Sequence, residues 1–505
     1  MEHSIGGLIA TAAKKFGNKK ALVVGENSWS FREIDDASSI LAGNLARLGV
    51  RPGDAVSLYS PNCFEWVVSY YAILKLGSVV NPLNLMLTPS EAAYAIDDCG
   101  AVAILGERSR LMALKAEAGF GGKILVSFGE EADGIESLAN LLVGEVSQCY
   151  PLACISEDDV STIGYTSGTT GKPKGAVLSH RAILMNTAMT ATMHVRTSSD
   201  TVVSALPCSH VYGNIVMNAA MAYGMTLVLH AVFKEGEILE SIARHKATIF
   251  EGVPTMYMYL LNFPELAQYD LSSLTRCTVG GQTMPVAKME SVEKALGVPL
   301  LELWGMTELG GLGTTHSFYG PKRLGSIGLP LPSVYVRIGK PGDSAITLPN
   351  GEVGELLVQG PITMRGYLNR PDATAETVDT DGWLHTGDLA YQDSDGYVFV
   401  VDRLKDMIIT GGFNVYPAEL ERVLSEHPGV AIAAVAGVPD ELKGELATAF
   451  IVRAKGSNAS ESEIIDFCRS RLAAYKVPRK VHFVDDLPKT SSGKIMRRKL
   501  REAVH

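Results

Sequence analysis

The sequence predicts an α/β protein in which a large N-terminal domain precedes a smaller α+β domain. The chain has 505 residues, 46% of them apolar, which is enough for large hydrophobic cores and too many for one domain of ordinary size. Short apolar strands alternate with amphipathic helices through most of the chain, and this alternation predicts mostly parallel βα sheets. After Asp402 the composition turns cationic. We therefore place the large domain at residues 1–402, with a small β-rich subdomain at about 325–402, and the small domain at residues 403–505.

Two capping boxes mark helices of the large domain. Ser30 and Glu33 precede an apolar repeat at helical spacing that Gly49 ends, and Thr88 and Glu91 form a second box with proline at the first helical position. An apolar helix is predicted for residues 65–76, and strands are predicted for residues 54–60, 101–105, 123–128, 160–165, 226–230 and 247–252.

Short β runs separated by Gly, Pro and Asp indicate the β-rich subdomain, and a mixed pattern follows it. About a hundred residues remain after Asp402, which is enough for an independent small domain. We predict strands at residues 334–338, 354–358, 397–401, 432–438 and 447–453, and helices at residues 417–425 and 460–472.

The bulk composition narrows the function class. A formal net charge of −10 argues against a general nucleic-acid or anionic-membrane surface. The seven cysteines show no metal-ligand or redox spacing, which is typical of buried thiols in a reducing compartment. We see no secretory signal and no apolar run of membrane-spanning length, so we expect a cytoplasmic protein without nucleic-acid or membrane partners.

Residues 165–175, Tyr-Thr-Ser-Gly-Thr-Thr-Gly-Lys-Pro-Lys-Gly, form the most informative string of the sequence. Its glycines allow backbone N–H groups to approach an anion, and its hydroxyls and lysines add donors for phosphate oxygens. We expect a strand, this phosphate-binding loop and then a helix near residues 179–185. It is not a Walker loop, because only two residues separate Gly168 from Gly171 and Pro173 follows Lys172. A flexible surface loop is the alternative.

The string resembles the signature loop of the adenylate-forming superfamily, which comprises acyl- and aryl-CoA ligases, adenylation domains of peptide synthetases and beetle luciferases. Four further strings follow in the family's order, at residues 304–308 (Trp-Gly-Met-Thr-Glu), 386–388 (Thr-Gly-Asp), 411–419 and 488–494. The resemblance implies ATP, Mg²⁺ and coenzyme A as co-substrate, and an acid–CoA ligase that forms an acyl adenylate before the thioester. It also implies that the C-terminal domain is mobile.

The resemblance implies roles for four catalytic residues. Lys494 is the mobile lysine that bridges the incoming carboxylate and the α-phosphate, Thr307 contacts a phosphate, and Glu308 is the Mg²⁺ ligand. His210 lies between the acyl pocket and the CoA passage, with a satisfied core histidine as the alternative. The nucleotide site comprises Thr166, Ser167, Gly168, Thr169, Thr170, Gly171, Lys174, Gly281, Gln282, Trp304, Gly305, Met306, Asp388 and Arg403.

Three residues near the domain boundary also match family positions. Lys405 falls at the hinge, and Gly411 and Gly412 fall where CoA-dependent members line the passage for pantetheine. An exposed linker lysine and a turn that ends a strand are the competing interpretations.

The acyl pocket of the relatives is lined from three segments of the chain. The corresponding set is mostly apolar and contains no arginine, so it would desolvate a second charge on the substrate. This favours a compact aryl or short- to medium-chain monocarboxylic acid over malonate or a long fatty acid. The set comprises His210, Val211, Tyr212, Asn214, Met217, Gly280, Gly281, Leu303, Gly310 and Leu312.

Two other functions remain open from the sequence. The acyl group could pass to a carrier-protein thiol or an amine, or the chain could be a non-catalytic nucleotide-binding scaffold. Retention of Glu308, Asp388 and Lys494 argues against the scaffold. The expected partners are a small carboxylic acid and CoA, and a homodimer is also considered. The sequence does not specify the acid, the acceptor or the oligomeric state.

Overall fold

The computed structural model describes residues 4–117, 121–131, 134–144, 155–166, 173–410, 413–440, 442–489 and 495–502. Its α-helices are α1 (Ile5–Phe16), α2 (Phe31–Leu48), α3 (Phe64–Lys75), α4 (Pro89–Asp98), α5 (Arg108–Lys115), α6 (Leu138–Leu141), α7 (His180–Met193), α8 (Val211–Tyr223), α9 (Glu235–His245), α10 (Pro254–Leu261), α11 (Val286–Leu296), α12 (Pro371–Thr377), α13 (Pro417–Ser425), α14 (Glu461–Arg469) and α15 (Arg497–Glu502).

The strands fall into four sheets. In chain order they are β1 (Lys20–Val24), β2 (Asn27–Ser30), β3 (Ala55–Tyr59), β4 (Val79–Pro82), β5 (Ala103–Gly106), β6 (Ile124–Ser127), β7 (Glu136–Ser137), β8 (Val160–Thr166), β9 (Lys174–Ser179), β10 (Thr201–Ser204), β11 (Thr226–Leu229), β12 (Ile249–Gly252), β13 (Arg276–Val279), β14 (Leu300–Met306), β15 (Gly311–Thr315), β16 (Leu329–Pro330), β17 (Tyr335–Lys340), β18 (Asp343–Thr347), β19 (Gly354–Gln359), β20 (Gly366–Tyr367), β21 (Leu384–Gln392), β22 (Val398–Arg403), β23 (Ile408–Thr410), β24 (Phe413–Val415), β25 (Val430–Asp440), β26 (Gly444–Arg453) and β27 (Lys480–Phe483).

Two large sheets have parallel centres. One has the order β16-β15-β14-β13-β12-β10-β11-β1-β2, and the run from β14 to β1 is parallel. The other has the order β20-β9-β8-β4-β3-β5-β6-β7, and it is parallel from β8 to β7. These sheets confirm the predicted fold class of mostly parallel βα sheets.

The other two sheets lie later in the chain. The order β18-β17-β19-β21-β22 is antiparallel and contains the strands predicted for the β-rich subdomain. The last sheet has the order β24-β23-β26-β25, with β27 parallel to β26. Helices α13 and α14 pack with this last sheet around a second hydrophobic core that includes Ile408, Leu420 and Ile464.

The predicted helix boundaries follow from local capping chemistry. Ser30 and Glu33 form a reciprocal capping box at the start of α2, and Gly49 ends that helix with φ of 112°. Thr88 and Glu91 form a second reciprocal capping box at the start of α4. These hydrogen bonds satisfy backbone N–H groups that the first helical turn leaves unpaired, so the predictions from sequence are confirmed.

The element order around the phosphate-loop string corrects the prediction. A strand, β9, stands between the loop and α7, and it pairs antiparallel with β8 so that Thr166 lies opposite Lys174. Strands β8 and β9 therefore form an antiparallel pair on either side of residues 167–172, which lie outside the described residues, and the element that follows the string is a strand and not a helix. Ala176 and Leu178 of β9 are fully buried, and their alternation was hidden by the flanking Gly and Pro residues.

The largest hydrophobic core and the core around Ile408 lie on either side of a short polar segment. The large core receives its last residues from β22, and the second core begins at Ile408. Leu404, in the turn between them, is exposed. The domain boundary at residue 402 and the hinge at Lys405 fall in this segment and stay predictions. Within the described ranges, no helix has both the length and the apolar character needed to cross a membrane.

Candidate active site

Two residues predicted to bind the nucleotide converge on the carboxylate of a third. The antiparallel register of β21 and β22 places Asp388 opposite Arg403, and Arg403 Nε lies 2.9 Å from Asp388 Oδ1. From the end of β14, Trp304 Nε1 donates a hydrogen bond of 2.8 Å to Asp388 Oδ2. Asp388 is buried, yet each of its oxygens keeps a second acceptor site. The carboxylate can therefore still accept ribose hydroxyls.

The backbone around Trp304 requires glycine. A Cβ on Gly305 would lie 2.0 Å from the carbonyl oxygen of Gly311 on the neighbouring strand β15. This close approach fixes the end of β14 beside the turn at residues 307–309, which Gly310 closes with φ of 62°. Trp304 and Glu308 are consequently held on one short, tightly packed segment.

Glu308 is tied to the hairpin of the phosphate loop by a residue that the sequence analysis missed. Tyr367 donates a hydrogen bond of 2.7 Å to Glu308 Oε1. Tyr367 lies on β20, which pairs with β9 so that Tyr367 is opposite Ala176. The Nζ of Lys174 lies 5.2 Å from the centroid of the Tyr367 ring. Burial and the charge of Glu308 raise the pKa of Tyr367, so its hydroxyl remains a donor.

The donor set around Glu308 fits a magnesium ion shared with phosphates. A carboxylate is the hard oxygen ligand that Mg²⁺ prefers, and Mg²⁺ commonly takes one or two carboxylates together with substrate phosphates and waters. In the part of the chain that is described, no group of three or more His, Cys, Asp or Glu residues could hold a metal ion without such a substrate. Glu308 is buried beside the hairpin that leads to the phosphate loop, which suits this shared arrangement.

His210 occupies the N-cap of α8. Its Nδ1 accepts a hydrogen bond of 3.3 Å from the backbone N–H of Tyr212, which assigns the ring proton to Nε2. The side chain of His210 is half-buried, so the structure places it at the edge of the core. Val211 begins the helix and is also half-buried, whereas Tyr212 is buried.

A buried polar chain lies behind Tyr212. The hydroxyl of Tyr212 lies 2.6 Å from Thr278 Oγ1, and Thr278 donates a hydrogen bond to Glu251. Glu251 forms an ion pair of 2.5 Å with Arg196, and both side chains are almost completely buried. An arginine that was absent from the predicted pocket set therefore lies behind its wall, where Glu251 compensates its charge.

The remaining predicted pocket residues pack closely. A Cβ at Gly280 would lie 2.1 Å from Leu303 Cδ1, so the Leu303 side chain fills the space over Gly280. Asn214 takes a different orientation, because its Oδ1 accepts hydrogen bonds from Tyr70 and Asn218, toward α3. Other members of the set are also buried or take special backbone conformations: Met217, Leu312, Gly310 (φ 62°) and Gly281 (φ 91°).

Comparison with known proteins identifies the family. The AMP-binding enzyme family matches residues 9–368, and the AMP-binding enzyme C-terminal domain matches residues 419–494. The chain belongs to the AMP-binding enzyme family.

Similar proteins cover nearly the whole AMP-binding enzyme. A long-chain-fatty-acid–CoA ligase from Bacillus subtilis (strain 168) is 36% identical over 526 residues, which cover 98% of this chain and 93% of the relative. A feruloyl-CoA synthase from Amycolatopsis sp is 37% identical over 480 residues, or 94% of each chain. The crystal structure of ATP-bound MatB from Rhodopseudomonas palustris matches with a TM-score of 0.91 and 32% identity, covering 99% of this chain and 98% of MatB.

These comparisons confirm the expected superfamily and class of activity. The protein is an AMP-forming ligase that joins an acid to CoA with ATP as co-substrate. The assignments of single residues are not tested by the comparisons and stay predictions that the geometry above supports or weakens. Asn214 is the pocket residue that the geometry supports least, because its amide oxygen already accepts hydrogen bonds from Tyr70 and Asn218.

Several predicted site residues of this AMP-binding enzyme lie outside the described residues. Their neighbours show where the chain enters and leaves each segment: Thr166 ends β8, Lys174 begins β9, and Lys489 forms an isolated antiparallel bridge with Ile495. Lys405 is exposed in the turn after Arg403, as a linker residue would be, and Gln282, Met306 and Thr307 are half-buried. The residues outside the description are Ser167, Gly168, Thr169, Thr170, Gly171, Gly411, Gly412 and Lys494.

Proposed function

We propose that this AMP-binding enzyme activates a compact monocarboxylic acid, either aryl or of short to medium chain length, and transfers the acyl group to CoA. The convergence of Trp304 and Arg403 on the carboxylate of Asp388 is the observation that carries the nucleotide assignment. In the proposed complex the Trp304 ring lies against the adenine, and Asp388 accepts the ribose hydroxyls. Arg403 stays beside Asp388 and compensates the charge of that buried carboxylate.

The first chemical step is adenylation. An oxygen of the substrate carboxylate attacks the α-phosphorus of ATP, the bond to the bridging oxygen of the β-phosphate breaks, and pyrophosphate leaves. The obstacle is electrostatic, because an anion must approach a polyanion. Magnesium, when bound at Glu308 and the phosphates, neutralises part of that charge. The residues of the phosphate loop and Lys174 hold the β- and γ-phosphates, and Lys494 bridges the two reacting anions.

The second step forms the thioester. The CoA thiolate attacks the acyl carbon of the adenylate, and the bond to the AMP oxygen breaks, so AMP leaves with the electron pair. Because Lys494 occupies the side from which the thiol must approach, we propose that the small domain rotates about Lys405 between the steps. In the rotated state Gly411 and Gly412 line the pantetheine passage, and His210 stands at its inner end.

The proposed size of the acid rests on the packing of the pocket. The Leu303 side chain fills the space that Gly280 would otherwise leave open. Tyr212, Leu312 and Met217 are buried and apolar over most of their surface, which favours an apolar acyl group with one carboxylate. Arg196 does not provide a second carboxylate site, because Glu251 already neutralises it. The relatives are named for a fatty acid and for feruloyl-CoA, so their names do not restrict the length of the acid.

The test is acid-dependent exchange of labelled pyrophosphate into ATP, across aryl, short-chain, medium-chain and long-chain acids and malonate. We expect the highest kcat/KM for a compact monocarboxylic acid and thioester formation when CoA is added. We expect Lys494→Ala to reduce exchange by at least about 100-fold, as loss of a group that stabilises developing charge does. The matched control is Lys499→Ala, an exposed lysine of α15, which should exchange at the normal rate.

Three outcomes would contradict parts of this proposal. Equal exchange by Lys494→Ala and the unmutated protein would remove the catalytic assignment of that lysine. A maximum at long-chain acids would remove the compact-acid assignment. Acyl-AMP that accumulates regardless of CoA would indicate a carrier-protein thiol or an amine as acceptor. The cytoplasmic location, the homodimer and the lack of nucleic-acid and membrane partners stay predictions from sequence.

A further inference from the structure

A direct polar contact joins the segment before Lys494 to the large domain. Lys489 Nζ donates a hydrogen bond of 2.7 Å to the hydroxyl of Tyr259, and the same nitrogen lies 5.2 Å from the centroid of the Tyr259 ring. Tyr259 belongs to α10, which follows β12 of a large sheet. Lys489 follows the last strand of the small sheet. The contact therefore spans the two cores.

Both partners are held on their own side of this contact. The Tyr259 ring packs against Phe233, with centroids 6.3 Å apart and planes inclined by 29°, so it is fixed to the large domain. Lys489 also donates to Asp486 Oδ1 at 2.5 Å, and its side chain is 15% exposed. Asp486 and Lys489 lie three residues apart in the same segment, so the ammonium group is oriented toward Tyr259 by its own domain.

The contact lies at the base of the segment that contains Lys494. Lys489 forms an antiparallel bridge with Ile495, so the described residues on either side of Lys494 are neighbours. Arg497, in the helix that follows Ile495, forms ion pairs with Glu421 of α13 and with Asp406 in the turn after β22. These pairs join the residues next to Lys494 to the small domain and to that turn. The hydrogen bond from Lys489 to the large domain consequently restrains the position of the described residues on either side of Lys494.

We propose that Lys489 and Tyr259 form a latch that holds the small domain in the orientation used for adenylation and releases it for thioester formation. The latch rests on the proposed role of Lys494, which it positions without touching the substrate. Rotation of the small domain must break the Lys489–Tyr259 bond, whereas the Lys489–Asp486 bond moves with the domain. The two half-reactions should therefore respond differently to loss of the Tyr259 hydroxyl.

The test uses Tyr259→Phe in the full chain, because it removes the hydroxyl and keeps the ring that packs on Phe233. Adenylation is measured as pyrophosphate exchange, and thioester formation is measured in single turnover from pre-formed acyl adenylate and CoA. We expect exchange to fall about 10-fold, as loss of a hydrogen bond to a charged group predicts. Thioester formation should stay equal or become faster. Tyr269→Phe, the same change on a half-buried tyrosine near α10, should alter neither step.

A double-mutant cycle separates the latch from a general structural effect. Lys489→Gln should lower exchange as Tyr259→Phe does, and the double variant should be no worse than either single variant. A fall of equal size in both half-reactions, additive effects, or unchanged exchange in Tyr259→Phe would overturn the latch. Lys494→Ala, measured alongside, reports on the proposed function separately. Loss of exchange in Lys494→Ala with normal exchange in Tyr259→Phe would refute the latch and keep the function.

Discussion

Removal of one hydroxyl should show whether Tyr367 positions Glu308, the proposed magnesium ligand. The substitution Tyr367→Phe deletes the donor that lies 2.7 Å from Glu308 Oε1 and keeps the ring beside Lys174. A hydrogen bond to an ionised group contributes roughly 1.5–3 kcal/mol net, or about 10- to 150-fold in an equilibrium or rate constant. Tyr367 is only half-buried, so water can replace part of the lost bond. We therefore expect kcat/KM for adenylation to fall about 10- to 30-fold.

The assay is pyrophosphate exchange over a range of Mg²⁺ concentrations. Because Glu308 would be less well oriented, the Mg²⁺ concentration that gives half-maximal exchange should rise in Tyr367→Phe. Tyr335→Phe is the matched control, since Tyr335 is 64% exposed on β17. The circular dichroism spectra of both variants should equal that of the unmutated protein. A correctly folded Tyr367→Phe variant with unchanged exchange and unchanged Mg²⁺ dependence would refute the positioning role.

Two further predictions concern the nucleotide site and acid stability. Trp304→Phe removes the N–H that donates to Asp388, so the Kd for AMP measured by calorimetry should rise about 10-fold. The control Trp383→Phe, in the β-rich subdomain, should leave this Kd unchanged. Equal affinity for AMP in both variants would contradict the assignment of Trp304 to the nucleotide site. Burial lowers the pKa of His180 from 6.5 to about 4, so between these pH values the unfolded chain binds a proton that the folded protein does not. On this account the free energy of unfolding, measured by urea denaturation, should fall by about 3 kcal/mol from pH 6.5 to pH 4. His180→Gln should show a correspondingly smaller loss over that range, and an identical pH profile would exclude His180 as the cause.

The sequence predicted best those features that depend on neighbouring residues. Each capping box joins side chains and backbone groups three residues apart, so Ser30 with Glu33 and Thr88 with Glu91 could be identified without any tertiary structure. The same applies to α13, which begins at the predicted Pro417 because proline fits the first turn of a helix. Fold class followed because the alternation of strands and helices is repeated many times.

The contacts that complete the site join residues far apart in the chain. Trp304 and Asp388 are 84 positions apart, and Tyr367 and Glu308 are 59 positions apart. Trp304 was predicted only as a member of the nucleotide site, because nothing near it in sequence indicates a partner for its N–H. Tyr367 carried no signal at all, since its role depends on the pairing of the two-residue strand β20 with β9.

The pairing of β20 with β9 holds the β8–β9 hairpin next to Glu308. Strand β20 lies at the edge of its sheet beside β9, and the backbone N–H of Leu368 donates a hydrogen bond of 2.8 Å to the carbonyl oxygen of Gly175. The backbone N–H of Met364 donates a hydrogen bond of 2.7 Å to the carbonyl oxygen of Glu308, so residues 364–368 contact both strand β9 and the proposed magnesium ligand. Any displacement of the hairpin relative to Glu308 must therefore break several hydrogen bonds together.

This arrangement implies that the large domain and the small domain contribute different groups to the proposed reaction. Glu308 and Asp388 are buried carboxylates, and Tyr367, Trp304 and Arg403 hold them in position from within the same part of the chain. In the proposed mechanism these carboxylates hold Mg²⁺ and the ribose, but they do not by themselves favour the meeting of two anions. The cation proposed to bridge the two anions, Lys494, belongs to the small domain, and the proposed latch between Lys489 and Tyr259 would hold it at the site for adenylation and release it for thioester formation.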